Sequence, residues 1–353
     1  MNKIAHFNRT ILKWYENSKR ELPWRDTKDS YAIWLSEIIL QQTRIDQGLA
    51  YYLKFITAYP TVFDFARASE DELLKMWQGL GYYSRVRNMH HAAKTIVDEY
   101  DGEFPNDYKS LLGLKGVGEY TAAAIASIAF DLPHATVDGN VYRVLSRIYG
   151  IETPIDTAEG KKLFTSLAND LLDHDEPGEF NQALMDFGAL QCTPKNAACE
   201  SCPYNNVCIA FRNDKVNAFP VKKGKTKIRK RYFNYLVIQN KTSTFLTKRT
   251  SKDIWKNLYE FPLIETSEKT EAIDQLMNQQ ACIKTNGKLS ITGHSPWRKQ
   301  VLSHQHIFYR FIYLQIDDEK NIDLPLIKVN KKDIFNFAVP KPIEKELENV
   351  NWF

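Results

Sequence analysis

The 353-residue chain has no long hydrophobic run, no internal repeat, few cysteines and little net charge, and each shortage removes a class of protein. Polar residues interrupt the apolar ones every few positions in the opening stretch MNKIAHFNRTILKWYENSKRELPW, so neither a signal peptide nor a membrane anchor fits there. No later segment approaches the roughly 18 consecutive apolar residues of a spanning helix, and a cytoplasmic location is expected. Lys and Arg number 47 against 43 Asp and Glu; the resulting +4 permits a nucleic-acid partner without demanding one. Five cysteines is an odd number, and four of them fall between 192 and 208, which is not how a secreted disulfide scaffold distributes them. A metal site in a reducing compartment is the expectation.

What is present points to two domains, since one core rarely grows past about 250 to 300 residues. From Asn8 to about Leu190 apolar residues recur at helical spacing, as in Ile33, Trp34, Ile38 and Val141, Leu145, Ile148, so residues 1–220 are read as one all-helical domain. The stretch VKKGKTKIRKR, 221–231, carries Lys and Arg with almost nothing apolar and reads as a basic linker, free in solvent or lying along phosphates. Beyond it YFNYLVIQ, TFLTKR, NLYEFPLIE and HIFYRFIYLQI are rich in aromatic and β-branched residues, and PIEKELENV suits a closing helix. Residues 232–353 are therefore expected to form an α+β domain.

Cys192, Cys199, Cys202 and Cys208 give C-x6-C-x2-C-x5-C. Four thiolates in one compact loop can ligate a zinc or a [4Fe-4S] cube, and one cysteine ahead of a tight triplet, without a second C-x2-C pair, favours the cube. Cys282 stands apart and reads as a small core residue. In LKGVGEY, Gly116 and Gly118 allow a tight turn before an alanine-rich helix whose free N–H groups suit an anion; an ordinary helix–helix corner has the same signature. Glu37 lies among Ile33, Trp34, Ile38, Ile39 and Leu40, where burial should keep it protonated, unless it pairs with a cation such as Arg25. Asp138 precedes a helix running to about Tyr149, where N–H donors and the helix dipole hold a carboxylate ionised. One protonated and one charged carboxyl suit the cleavage of a glycosidic bond.

A helical domain, a G-V-G hairpin, an aspartate in VDGNVYR and the four-cysteine spacing together resemble the iron-sulfur branch of the helix-hairpin-helix DNA glycosylases. LPWR (22–25), SEIILQQT (36–43), GLGYYSRVRN (79–88) and NQALMDFGALQC (181–192) resemble the adenine DNA glycosylases of MutY type within it. The resemblance implies excision of adenine paired with 8-oxoguanine or guanine in double-stranded DNA, by a monomer that is soluble and DNA-associated. It implies that Glu37 protonates the adenine, Asp138 stabilises the sugar cation, Asn140 orients that carboxylate and Tyr120 sits beside both. Gln42 and Tyr82 would enter the duplex near 8-oxoguanine, with Trp24, Arg25 and Leu40 lining the pocket. The cluster would act as a scaffold in a loop that meets phosphates, where Lys195 is suitably cationic, and a monovalent cation could sit at the hairpin.

The second domain is similar to a Nudix-like domain that verifies 8-oxoguanine, with Ser303 and His304 as the contacts; Leu302 stands where the family usually has Phe, and His306 lies close by. The glutamate-rich run of a working Nudix hydrolase is missing from 230–353, so recognition without hydrolysis is implied. Lys115 and Ala197 replace prolines common in the family, in the hairpin and the cluster loop. Three other functions compete: a bifunctional glycosylase-lyase on oxidised pyrimidines, which needs an amine where Tyr120 stands; an iron-sulfur DNA-binding module without chemistry, which predicts neutral residues at 37 or 138; and a Nudix-type nucleotide hydrolase with a helical appendage, which the missing glutamates oppose.

Overall fold

The computed structural model describes residues 3–224, 227–274, 276, 289–317 and 326–349, and Cys282 lies outside them. Among the described residues no helix is long and apolar enough to cross a membrane. The chain divides into two compact units, Met1–Arg67 with Asn88–Lys225, and Ala68–Arg87 with Thr226–Phe353.

The first unit is helical: α1 (Lys3–Ser18), α2 (Ser30–Leu40), α3 (Ile45–Ala58) and α4 (Val62–Arg67) precede the excursion into the second unit. That excursion contains α5 (Glu70–Met76), and the boundary falls inside α6 (Ser84–Glu99). Then come α7 (Tyr108–Gly113), α8 (Glu119–Phe130), α9 (Gly139–Tyr149), α10 (Ala158–Leu171), α11 (Pro177–Asp186) and the short α12 (Ile209–Arg212). Helix α2 is buried from Tyr31 to Ile39, as a helix apolar on all sides must be. It packs on α8, whose run of small side chains, Thr121 to Ser127, lets the two backbones come close. A second core joins Phe7, Ile11 and Tyr15 of α1 to Val141, Val144, Phe164, Phe180 and Phe187, with Cys192, Cys202 and Cys208 packed at its margin.

Among the described residues, the second unit is built on an eight-stranded mixed sheet. Its strands are β1 (Arg229–Gln239), β2 (Ser243–Lys248), β3 (Tyr259–Glu260), β4 (Leu263–Thr266), β5 (Leu289–His294), β6 (Arg298–Val301), β7 (Gln305–Ile316) and β8 (Ile327–Asn330). Strands β1 and β7 pair in parallel from Arg229↔Gln305 to Gln239↔Gln315. Side chains alternate across the sheet. Phe233, Tyr235, Val237 and Phe311 meet Ile343 and Leu347 of the closing helix α13 (Lys341–Asn349), while Leu236, Ile238, Ile312 and Leu314 meet Leu276 on the other face.

Segment 68–87 belongs to this unit through contacts that composition does not announce. Asp71 accepts from Lys248 Nζ and Tyr259 Oη, both at 2.7 Å, and Gln78 donates to Glu344 at 2.9 Å. Sequence patterning placed residues 1–220 in one helical domain; the helical pattern continues through α5 and α6 regardless of which core they cover.

Candidate active site

A cleft of ≈ 2040 Å³ opens in the first unit, and Trp24, Arg25, Glu37, Leu40, Gln42, Gly116, Gly118, Tyr120, Asp138 and Asn140 all line it. Residues named from four separate stretches of sequence therefore face one space.

Glu37 is carried by α2 and is 8% exposed. Burial pushes its carboxyl up to about 7; the Tyr120 hydroxyl pulls it back, the Asp138 charge adds to the rise and Arg25 opposes it. The Tyr120 hydroxyl has two acceptors in reach, Met185 Sδ at 3.1 Å and the Glu37 carboxylate. A charged oxygen is the stronger acceptor of that single proton, which it shares with the thioether. Burial, and next the Glu37 charge, raise the Tyr120 phenol far above the ordinary range, so it remains a donor.

Arg25 is not the partner of Glu37. It is held by Asp186, whose side chain is fully buried: Arg25 Nη2 lies 2.7 Å from Asp186 Oδ1, and Nη1 reaches both Asp186 Oδ2 and the Tyr15 hydroxyl. Arg20 Nε donates to the same carboxylate at 3.1 Å. Two guanidinium groups thus share one buried acid at the side of the cleft. Trp24 packs edge-on against Tyr52 at 4.9 Å, and Gln41 bridges α2 to α8 by donating to Thr121 Oγ1 at 3.2 Å.

Asp138 is the N-cap of α9 and accepts from the Asn140 and Val141 backbone N–H groups, both at 2.8 Å, and from Asn140 Nδ2 at 2.7 Å. Burial raises its pKa above the ordinary aspartate value, and these three donors work against that rise. Gly150 closes the helix in the left-handed conformation. Asn140 is itself fixed by Arg143, which donates to Asn140 Oδ1 at 2.8 Å, Gly188 O at 2.7 Å and Cys192 O at 2.7 Å. A Cβ on Gly188 would lie 2.6 Å from Asn140 Cβ, so glycine is required for this approach.

Gly116 has φ +83°, and a Cβ there would meet Asn88 Cβ at 2.6 Å. Gly118 caps α8 without a side chain, and nothing lies within 4 Å of where its Cβ would be. Glu119, Tyr120 and Thr121 of the first turn of α8 line the cleft, and the first-turn N–H groups of a helix lack helical partners.

The four cysteines line one small cavity of ≈ 20 Å³ together with Arg147, Phe187 and Phe211. Arg147 donates to Cys192 Sγ at 3.4 Å and to Thr193 O at 2.8 Å. Burial pushes the Cys202 thiol up to about 11, a bond from the Tyr204 backbone opposes this, and the charges of Cys192, Cys208 and Cys199 add to it. Among the described residues, no three His, Cys, Asp or Glu side chains gather closely enough for a single metal ion. Four sulfurs around one small space, with Arg147 donating to one of them, fit a group that spreads its ligands over several irons.

Gln42 and Tyr82 are both non-glycine residues with positive φ, 59° and 46°, a conformation concentrated at functional sites. Gln42 lines the cleft, whereas Tyr82 belongs to the second unit and is 48% exposed. There its hydroxyl donates to Ser303 Oγ at 3.2 Å, and Ser303 Oγ lies 3.1 Å from His304 Nδ1. The 302–304 turn joins β6 to β7, closed by Leu302 N donating to Gln305 O at 2.8 Å; Leu302 packs against the core as a larger apolar residue would. Arg85 braces Tyr82 from below, its guanidinium over the Trp77 and Tyr82 rings at 5.0 and 5.7 Å and bonded to Leu80 O and Gly81 O.

Sequence reasoning missed Asp186, Arg143 and Met185 as parts of the site. Asp186 lies inside a stretch singled out for its resemblance, and Arg143 follows Asn140 by one helical turn. A charged residue within an apolar helical pattern was the available signal for both.

The HhH-GPD superfamily base excision DNA repair protein model matches residues 35–169, and a NUDIX domain model matches 234–349. The chain is 33% identical over 355 residues to an adenine DNA glycosylase of Buchnera aphidicola subsp. Schizaphis graminum, covering 98% of this chain and 99% of that one. A solved thermostable thymine-DNA glycosylase is 32% identical with a TM-score of 0.56, over 60% of this chain and 97% of its own. Endonuclease III in a non-covalent DNA complex, 22% identical with a TM-score of 0.52, shares the fold over 60% of this chain and 96% of its own.

Proposed function

The chain belongs to the adenine DNA glycosylases of the HhH-GPD superfamily, and we propose that it removes adenine mispaired with 8-oxoguanine, and with guanine, by monofunctional hydrolysis of the N-glycosidic bond. The observation that carries this reading is the pair of unlike carboxyls in one cleft. Glu37, poised at about 7, is available as an acid, and Asp138, supplied with three N–H donors, is available as an anion.

In this mechanism adenine leaves the duplex and enters the cleft, at a cost of a few kcal/mol in unstacking. Glu37 delivers its proton to the purine as the bond to the sugar lengthens. Asp138 stabilises the oxocarbenium-like sugar, and Asn140, anchored by Arg143, keeps the carboxylate aimed. Glu37, now charged and bonded by Tyr120, then activates the attacking water. Arg25 and Trp24 shape the wall against the base, with Arg20 and Asp186 fixing Arg25. No amine stands at position 120, so water adds to the sugar, free adenine leaves, and the abasic site stays in an intact strand.

Gln42 and Tyr82 enter the duplex opposite the extruded base, and Ser303 with His304 reads the 8-oxoguanine edge. Gly116, Gly118 and the α8 N-terminus hold a phosphate, with a monovalent cation at the hairpin. Cys192, Cys199, Cys202 and Cys208 would hold a [4Fe-4S] cluster, which when bound supplies a rigid cross-link for the loop that carries Lys195. The protein acts as a monomer in the cytoplasm, on duplex DNA.

The test is a single-turnover assay on A:8-oxoguanine, A:G, A:C and thymine glycol:A duplexes, with and without alkaline treatment. Excision from the first two, with nicking only after alkali, is expected. Glu37→Gln and Asp138→Asn should abolish excision and retain DNA binding. Full turnover by either variant, or nicking without alkali, would refute the mechanism; the second outcome would direct attention to Lys161 and Lys162, which also line the cleft.

A further inference from the structure

The second unit carries a buried cation without a proper partner. Arg310 on β7 is 1% exposed, and its Nε donates to Asn234 Oδ1 at 2.7 Å. Among the described residues its Nη1 and Nη2 have no hydrogen-bond partner. Among the described residues the acid that pairs with Arg310 is Glu271, with Oε2 3.8 Å from Nη1; Glu271 is 77% exposed, and its other oxygen accepts from Trp297 Nε1 at 3.2 Å. Leaving nitrogens of a buried guanidinium unmet is unfavourable unless something offsets it.

The surroundings are more positive still. The guanidinium lies 4.8 Å from the Trp297 ring. Lys269 Nζ stands over Trp297 at 5.9 Å and over Phe308 at 5.2 Å, and Lys299 Nζ stands over Phe308 at 5.6 Å. Phe308 stacks in turn on Tyr232, its register partner across β1 and β7, at 5.2 Å. Both rings and Trp297 remain partly exposed, so Arg310, Lys269 and Lys299 surround an aromatic patch open to solvent. Three cations face one loosely held acid.

We propose that this patch, Arg310 with Lys269, Lys299, Trp297, Phe308 and Tyr232, is a binding site for a phosphate ester that carries a base. The phosphate takes the two unmet Nη groups and displaces Glu271, which is exposed enough to swing into water. The flat rings receive the attached base or sugar. Such a phosphate comes either from a DNA strand or from a free nucleotide. None of these residues lines the cleft of Glu37 or belongs to the Ser303–His304 turn.

Two arms distinguish the sources. In the first, affinity for an A:8-oxoguanine duplex is measured against KCl concentration with the Glu37→Gln protein as background. Adding Lys269→Ala and Lys299→Ala, both at exposed positions, should flatten the log–log slope by about 1–2 if they meet backbone phosphates. In the second arm, equilibrium dialysis with dGMP, and with inorganic phosphate as the simpler probe, should show saturable binding that the same double variant loses, if the source is a nucleotide. Glu271→Gln removes the competing acid and should tighten whichever ligand binds, at least twofold. Arg310→Met should weaken it. An unchanged salt slope with no saturable dGMP or phosphate binding overturns the site, as does unchanged affinity in Glu271→Gln. Ser303→Ala, scored by the A:8-oxoguanine to A:G excision ratio, tests the lesion-reading turn independently.

Discussion

Removing one hydroxyl, in Tyr120→Phe, should move the pH limit of excision toward alkali. The Tyr120 phenol donates to the charged form of Glu37, so its loss favours the protonated form and raises the Glu37 pKa from about 7. A hydrogen bond to a charged group is worth about 1.5–3 kcal/mol and one pKa unit about 1.4 kcal/mol, so the rise is about one to two units. The lower figure is the better guide, because the hydroxyl is shared with Met185 Sδ. At pH 8 an acid of pKa 7 is about one-tenth protonated and one of pKa 8 about half, so the variant should gain about fivefold relative to wild type between pH 6 and pH 8. Single-turnover excision across pH 5.5–9 measures it, and the ratio cancels any pH-independent loss from the missing ring contact. A basic limb that stays in place, or moves toward acid, would refute both the Glu37 proton and its control by Tyr120.

Glu37 also links stability to pH. Its folded pKa lies above the ordinary 4.5, so the stability it contributes is complete below about 4.5 and is lost as pH rises through about 7; Glu37→Gln should therefore raise the melting temperature more at pH 8 than at pH 5. Asp186→Asn leaves Arg20 and Arg25 facing a neutral amide in a buried site, and a loss of about 3–5 kcal/mol in denaturant unfolding is expected, together with weaker excision. Gly116→Ala forces a side chain into a positive-φ position against Asn88, so a cost of about 1–3 kcal/mol and reduced duplex affinity in a mobility-shift assay should follow.

Much of the site was legible because it depends on local rules. Asp138 ahead of a helix and Gly150 behind it are a cap and a stop, readable from neighbours alone. Glu37 surrounded in sequence by Ile and Trp announces its own burial. The four cysteines are gathered by a loop too short to scatter them. The alternation of apolar residues in β1 and β7 marks them as strands, although nothing in either strand says that they pair in parallel.

What sequence determined by itself was the residue types at local spacing: a buried acid, a capped acid, a glycine hairpin, a thiol loop and two different hydrophobic periodicities. What tertiary structure alone decided was which distant groups meet. Asp186 claims Arg25 from 161 positions away, leaving Glu37 to Tyr120. Arg143 ties the aim of Asp138 to the carbonyl of Cys192. Segment 68–87 carries Tyr82 into the second unit, beside Ser303. Periodicity and capping are set by neighbours within a turn or two of chain, whereas the pairing of buried charges depends on desolvation and on contacts that exist only after the helices and strands have packed.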